Sequence, residues 1–197
     1  MKTNTINSLL LLLTALISGG CTGHLPEQGD ISKTRIKLLD QDSSEVVFPA
    51  NMYGKNYFVT FFFTHCPDIC PMTTNNMQQI EKAMAGKDMK NFEFVAISFD
   101  PQRDRPSVLQ LYADMHGIDL KKWHMLTGTP ENVDSLRKLL NIVAVKGDTV
   151  LLDNGMPQYY FVHTDRITLV DANGKIRKRY KGSQISLEEI IADTQKL

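Results

Sequence analysis

The sequence has few cysteines, no net charge and no long apolar run. Its 197 residues include three cysteines, and Lys plus Arg equals Asp plus Glu at 22 each. So few cysteines exclude the class of secreted scaffolds that are held together by several disulfides. The balanced charge offers no basic surface for nucleic acid, so we expect no nucleic-acid partner. The N-terminal apolar run, residues 9–17, is shorter than the roughly 20 residues of a membrane-spanning helix.

The first 20 residues predict a targeting segment. Lys2 precedes the apolar run, and small residues at positions 18–20 lead directly to Cys21. This order is typical of a lipoprotein-type signal peptide over residues 1–20, with cleavage before Cys21 and lipid attached to that cysteine. The alternative is an ordinary cleaved signal that leaves Cys21 as a free thiol. Either way, the predicted location is the bacterial cell envelope.

The remaining chain predicts a tether and one domain. Residues 21–33 are polar and contain Gly and Pro, which favours a lipid-anchored tether to a membrane. Residues 34–197 are enough for a single domain with a proper core. With the lipid on Cys21, this domain would lie in the periplasm or another extracytoplasmic space.

The pattern of apolar residues predicts alternating strands and helices. The predicted strands are residues 35–39, 45–48, 57–64, 92–99, 123–126, 167–170 and 175–180. The predicted helices are residues 71–85, 106–117, 130–140 and 186–192, and residues 143–160 predict a hairpin with its turn at 153–155. This is the thioredoxin order of elements. We therefore predict an α/β, thioredoxin-like fold: a central mixed β-sheet flanked by helices, with the β-hairpin inserted before His163.

Cys66 and Cys70 lie between the most apolar predicted strand and the helix that follows it. At a helix N-terminus, unpaired N–H groups and the helix dipole favour a thiolate over a thiol. Residues four apart on a helical turn are neighbours, so two thiolates there could close on one soft metal ion or form a disulfide. Among the available metals, soft thiolates favour Cu(I). His163 falls about where thioredoxins keep the cis-proline beside their cysteine pair, and it is the candidate third ligand. The residues alone leave a metal site and a redox-active disulfide both open.

Two carboxylates are further candidates around this site. Asp68 lies between the two cysteines, and Asp100 ends a predicted strand. Either could accept a hydrogen bond from a group next to the metal ligands or engage Cu(II) loosely, and Asp68 could equally cap the helix. In the segment that follows Asp100 we expect a turn and a helix start, with Asp104 as the cap. His65 adjoins Cys66, but neighbouring side chains at a strand end point apart, so we do not expect it to be a ligand.

Four separated motifs resemble those of the Sco/SenC family. They are the segments at residues 66–71 (Cys-Pro-Asp-Ile-Cys-Pro), 98–106 (Ser-Phe-Asp-Pro-Gln-Arg-Asp-Arg-Pro), 126–128 (Leu-Thr-Gly) and 162–174, which begins Val-His-Thr. The resemblance covers roughly residues 34–195 in the expected order. It implies a membrane-tethered, thioredoxin-like protein with one copper ion, Cu(I) or Cu(II), held by Cys66, Cys70 and His163.

The resemblance implies a metallochaperone rather than an enzyme. Its acceptor would be the copper-A subunit of cytochrome c oxidase or another cuproprotein. The alternative is a thiol–disulfide oxidoreductase or redox sensor that uses the Cys66/Cys70 pair together with a thiol reductant. Because both activities use the same two sulfur atoms, they exclude each other at any instant, and His163 favours copper since disulfide exchange needs no third ligand.

Overall fold

The computed structural model describes residues 23–86, 91–153, 155 and 157–197. The strands are β1 (Gly29–Asp30), β2 (Ile36–Leu39), β3 (Glu45–Phe48), β4 (Asn56–Phe62), β5 (Phe92–Ser98), β6 (Trp123–Leu126), β7 (Ala144–Lys146), β8 (Val150–Leu151), β9 (Pro157–Gln158), β10 (Phe161–His163), β11 (Ile167–Val170) and β12 (Lys175–Tyr180). The helices are α1 (Ile69–Ala85), α2 (Pro106–His116), α3 (Pro130–Leu139) and α4 (Leu187–Thr194).

The central sheet has six strands in the order β1-β12-β11-β4-β5-β6. β4, β5 and β6 are parallel neighbours, whereas β11 is antiparallel to β4 and to β12. Every residue of β4 after Asn56 is buried, as expected for a central strand covered on both faces. The prediction of a mixed sheet flanked by helices in the thioredoxin-like order is confirmed.

The helices begin and end where local sequence directs them. α1 buries Met77, Ile80 and Met84 at helical spacing. α2 starts at Pro106, whose missing N–H would have no helical partner in any case, and ends at Gly117 in the left-handed region with φ 61°. α4 follows the expected cap, in which Ser186 accepts a hydrogen bond from the Glu189 backbone N–H. These three helices therefore match the sequence pattern closely.

α1 starts earlier than predicted, at Ile69 instead of residue 71. Cys70 and Pro71 consequently lie in the first turn of the helix. Backbone N–H groups in that turn have no partner within the helix, so Pro71 is tolerated there and the Cys70 N–H can donate outside the helix.

The predicted hairpin consists of two short ladders. β7 pairs with β10, with Val145 opposite Val162, and β8 pairs with β9 nearer the tip. Both ladders are separate from the six-stranded sheet. The returning arm extends beyond the predicted limit at residue 160 and carries His163 at its end. Residue 154, in the predicted turn, lies outside the described residues.

The folded domain begins before the predicted boundary at residue 34. β1 is an edge strand that pairs with β12, and the Gln28 N–H donates to the Ile176 carbonyl over 2.7 Å. Leu25 and Ile31 are 7% and 1% exposed. The Gly and Pro content predicted a free tether, but the apolar side chains of Leu25 and Ile31 are buried in the core of the domain. The prediction of a signal peptide and a lipid on Cys21 falls on residues outside the described part of the chain.

In the part of the chain that the structure describes, no helix is both long and apolar enough to cross a bilayer.

Ile31→Ala should lower the free energy of unfolding by about 2–5 kcal/mol, because it deletes a fully buried side chain that joins the N-terminal segment to the sheet. Lys33→Ala, at an exposed position two residues away, is the matched control and should change stability by less than about 0.5 kcal/mol. Urea unfolding of both variants measures the difference. Equal stability of the two variants would contradict the assignment of this segment to the domain.

Candidate metal centre

The cysteine loop connects the end of β4 to the start of α1. Cys66 is half-buried in the loop, and Cys70 is 1% exposed in the first helical turn. The Cys70 backbone N–H points at the Cys66 sulfur, with 3.4 Å between N and Sγ. The helix N-terminus thus directs a donor at Cys66, as expected for a site that stabilises a thiolate.

His163 approaches the cysteines from the hairpin. Its Nε2 lies 3.5 Å from Cys70 Sγ, and its Nδ1 lies 3.1 Å from the Thr164 carbonyl oxygen. A carbonyl oxygen only accepts, so Nδ1 carries a hydrogen, and Nε2 is the ring nitrogen that faces the sulfurs and is left to bind a metal. The ligand atoms of Cys66, Cys70 and His163 all lie within 4.8 Å of one another.

Aromatic side chains form the surroundings of this group. Phe63 stands edge-on to the His163 ring with centroids 6.1 Å apart, and Phe99 lies 5.0 Å from it. Phe161 contacts both Phe63 and Phe99. On the open side, a cavity of about 310 Å³ borders Cys66 and His163. The site is therefore walled by aromatic rings on one side and reachable from solvent on the other.

The two thiols differ in acidity. The neighbouring Cys70 thiol, followed by the backbone N–H groups of Asp68 and Cys70, lowers the pKa of Cys66 to about 5. The same interaction between the two thiols, burial and the charge on Cys66 raise the pKa of Cys70 well above its ordinary value. At neutral pH the pair therefore holds one proton, on Cys70, and one negative charge, on Cys66.

Asp68 and Asp100 do not join the three ligand atoms. Asp68 is exposed and precedes α1, but its side chain makes no capping hydrogen bond. Asp100 is 3% exposed, and its two oxygens accept from the Tyr159 hydroxyl and from Arg103 Nε. Asp100 acts on the hairpin through Tyr159 and does not reach the cysteines.

His65 is exposed, as expected from its place beside Cys66. Its Nδ1 lies 3.0 Å from Thr64 Oγ1. Among the described residues it is not part of the group that could hold a metal ion. Cys21, the predicted lipidation site, lies outside the described residues.

Asp104 is wrongly predicted as the cap of α2. The residue before Pro106, Arg105, occupies the cap position and makes no side-chain capping bond. Asp104 turns inward, is fully buried, and accepts from the Thr64 N–H and hydroxyl and from the Ser98 hydroxyl. Burial raises the pKa of this carboxyl. It ties the loop before Cys66 to the end of β5, a role that only long-range contacts reveal.

The fold and the site together define a thioredoxin-like domain with two cysteines and a histidine in one group. Residues 27–197 match the SCO1/SenC family, and the chain belongs to that family.

Three relatives illustrate the match. The structure of Bradyrhizobium japonicum ScoI with copper bound is 26% identical with a TM-score of 0.68, covering 83% of this chain and 98% of that one. The structure of a SCO1/SenC family lipoprotein from Bacillus anthracis is 27% identical with a TM-score of 0.69, covering 87% and 99%. A SCO2-like protein of Rickettsia felis is 31% identical over 148 residues, which are 73% of this chain and 66% of that protein.

Iodoacetamide should alkylate Cys66 and spare Cys70 when the reduced protein is treated at pH 6–7, a range in which ordinary thiols of pKa about 8.5 are mostly protonated. The rate at Cys66 should fall only as the pH drops through about 5, because the thiolate is lost there. Peptide mass spectrometry over a pH series measures both sites. Cys70→Ala removes the neighbouring thiol that lowers the pKa and should move the midpoint upward. Faster reaction at Cys70 would contradict the asymmetry.

Proposed function

We propose that this protein is a copper metallochaperone that holds one copper ion with Cys66, Cys70 and His163. The observation that carries the proposal is the approach of the three ligand atoms to within 4.8 Å of one another. Two thiolates and an imidazole form a soft donor set that suits Cu(I), whereas structural zinc sites use four protein ligands. The donor set thus fits copper, and the B. japonicum relative solved with copper bound supports the choice of metal.

Binding uses the asymmetry of the two thiols. Cys66 already carries a negative charge, and His163 Nε2 already faces the sulfurs. Cys70 has to lose its proton when the ion arrives, so uptake releases one proton and is favoured by higher pH. Copper is cargo here: the ion leaves when the ligands of an acceptor replace these three one at a time through the open side of the site.

The exposed side chains of the hairpin support the proposal that the acceptor is a protein. The outer face of the hairpin exposes a group of large apolar side chains around the site: Val143, Val145, Val150, Leu151, Leu152, Tyr160 and Val162. So many exposed large apolar side chains on one hairpin are typical of an interaction site. We propose that the acceptor is the copper-A subunit of cytochrome c oxidase, or another cuproprotein, bound against this face in the bacterial cell envelope.

A thiol–disulfide activity is the second candidate, because Cys66 has the low pKa of a reactive thiolate. A disulfide between Cys66 and Cys70 would need a thiol reductant to restore it. Disulfide exchange needs neither His163 nor its fixed ring orientation, so copper binding accounts for more of the site.

One Cu(I) per chain is expected in an anaerobic titration of the reduced protein followed by native mass spectrometry. Cys66→Ala and Cys70→Ala should each weaken binding by more than about 100-fold, beyond the loss seen when only an outer partner of a ligand is removed. Oxidation of the pair to a disulfide should abolish uptake, because the ligand is the thiolate. Unchanged copper content in either variant would sink the proposal.

His163→Ala should separate the two oxidation states of copper. Two thiolates still hold Cu(I), whereas Cu(II) requires the imidazole and should lose its thiolate-to-copper charge-transfer absorption. His65→Ala, which removes the exposed histidine next to Cys66, is the matched control and should behave like the wild type. A Cu(II) spectrum in His163→Ala that equals the wild-type spectrum would remove His163 from the site.

We further propose that lipid on Cys21 anchors the protein to a membrane, as the B. anthracis lipoprotein relative supports. Cys21→Ser should move the protein from the membrane fraction to the soluble fraction, because serine lacks the sulfur that would carry the anchoring lipid. Cys66→Ser is the control for loss of a cysteine and should leave the fractionation unchanged. Membrane attachment that survives Cys21→Ser would point to an uncleaved N-terminal anchor.

A further inference from the structure

The strand that carries His163 has little backbone support. β10 pairs with β7 over three residues, and no ladder joins either strand to the six-stranded sheet in the part of the chain that the structure describes. An isolated two-stranded hairpin is marginally stable in water. Asp165, two residues after His163, is held by Thr73 and Ser183 on the α1 side. On the hairpin side, side-chain contacts with the domain have to fix the approach of His163 to the cysteines.

The inward face of this arm carries Tyr159, Phe161 and His163 at alternate positions, whereas Tyr160 and Val162 between them are exposed. Phe161 packs against Phe99 with ring centroids 5.0 Å apart. Apolar contact of this kind holds the arm close to the domain but is not directional. It does not by itself fix the angle at which the imidazole meets the sulfurs.

Tyr159 provides a directional contact on the hairpin side of His163. Its hydroxyl donates to Asp100 Oδ1 over 2.9 Å, and the two residues are 5% and 3% exposed. Arg103 pairs with the other oxygen of Asp100, and its guanidinium lies 3.6 Å from the centroid of the Tyr159 ring. Lys146 Nζ lies 3.7 Å from the same centroid. Burial raises the pKa of Tyr159 to about 12, so the phenol remains a donor at physiological pH.

The groups that hold Tyr159 lie outside the hairpin, next to the central sheet. Asp100 and Arg103 lie in the connection between β5 and α2, and the Asp100 N–H donates to Ser98 at the end of β5. We call Tyr159, Asp100 and Arg103 the tyrosine clamp. The clamp thus connects the central sheet to a point four residues before His163.

We propose that Tyr159 is a positioning residue: through the tyrosine clamp it sets the distance and angle of the His163 imidazole from the cysteine pair, and so controls Cu(II) binding. The inference rests on the proposed function. Tyr159 does not belong to the group of ligand atoms that would hold copper. Its effect reaches copper only through His163. Cu(I), which the two thiolates can hold, should depend on the clamp much less than Cu(II).

The test compares two adjacent tyrosines. Tyr159→Phe keeps the ring and removes only the hydroxyl, whereas Tyr160→Phe makes the same change at an exposed neighbour whose hydroxyl contacts Gln158. Tyr159→Phe should still bind one Cu(I), but Cu(II) affinity should fall about tenfold, the lower end of the effect of losing a direct hydrogen-bond partner of a metal ligand, because Tyr159 acts on His163 through the strand. Its charge-transfer absorption should shift toward that of His163→Ala. Tyr160→Phe should match the wild type in both measurements.

Asp100→Ala removes the acceptor from the other side of the same hydrogen bond. It also breaks the ion pair with Arg103, so Cu(II) affinity should fall at least as far as in Tyr159→Phe. The double variant should match Asp100→Ala, because the Tyr159 hydroxyl acts through this acceptor. Wild-type Cu(II) affinity and absorption in folded Tyr159→Phe would overturn the proposal, as would an equal loss in Tyr160→Phe. Fully additive effects of the two clamp substitutions would also overturn it.

A measurement without copper separates this inference from the proposed function. In the metal-free protein, the amide hydrogens of β10 should exchange at least about tenfold faster in Tyr159→Phe than in Tyr160→Phe, since a hydrogen bond to a charged group is lost. Equal exchange in the two variants would refute the clamp. If wild-type protein takes up no copper, the proposed function fails, and the exchange measurement still decides whether Tyr159 positions the His163 strand.

Discussion

The site depends on one strand pairing, that of β4 with β11. β4 delivers the cysteines from its carboxyl end, and β11 runs antiparallel beside it with Ile167 opposite Thr60. The Thr60 hydroxyl also donates to the Arg166 carbonyl over 2.8 Å, just beyond that pair. The residues before β11 therefore emerge next to the cysteine loop. All four residues of β11 are buried, so a slip of this register by one residue would exchange the two buried faces of the strand. It would also shift the chain by about 3.3 Å along the strand and carry His163 away from the sulfurs.

The distribution of polar contacts explains how a rigid domain holds a site with an open side. On the cysteine side, buried Asp104 accepts hydrogen bonds from Thr64 and Ser98 and so holds the cysteine loop against the end of β5. On the α1 side, Asp165, two residues after His163, accepts from the Thr73 hydroxyl and from the Ser183 N–H. Each of these two carboxylates is paired with several donors, and each connects segments that are distant in sequence. Cys66 and His163 are left half-buried, which is compatible with ligand exchange.

Much of the fold and the central group of the site could be predicted from the sequence. The apolar run of β4, the helical spacing of Met77 and Met84 and the turn before Lys175 are local signals, and each element formed where they indicated. The roles of Asp104 and Tyr159 were not predictable, because each depends on partners forty or more positions away. Near Pro106 the local pattern even favoured the wrong role for Asp104, since helix capping and burial attract the same residue type. The prediction of a tether over the N-terminal segment was wrong because its local signal is weak: two apolar residues among polar ones do not indicate a buried strand.

The early start of the folded domain sets the reach of any lipid anchor. Only four residue steps separate Cys21 from Leu25, which is already packed into the domain. A chain of that length spans at most about 14 Å when fully extended. With lipid on Cys21, this short linker would keep the domain at the bilayer surface and restrict its rotation. Its encounters with a partner in the same membrane would then be a search in two dimensions, in which a high local concentration compensates for modest affinity.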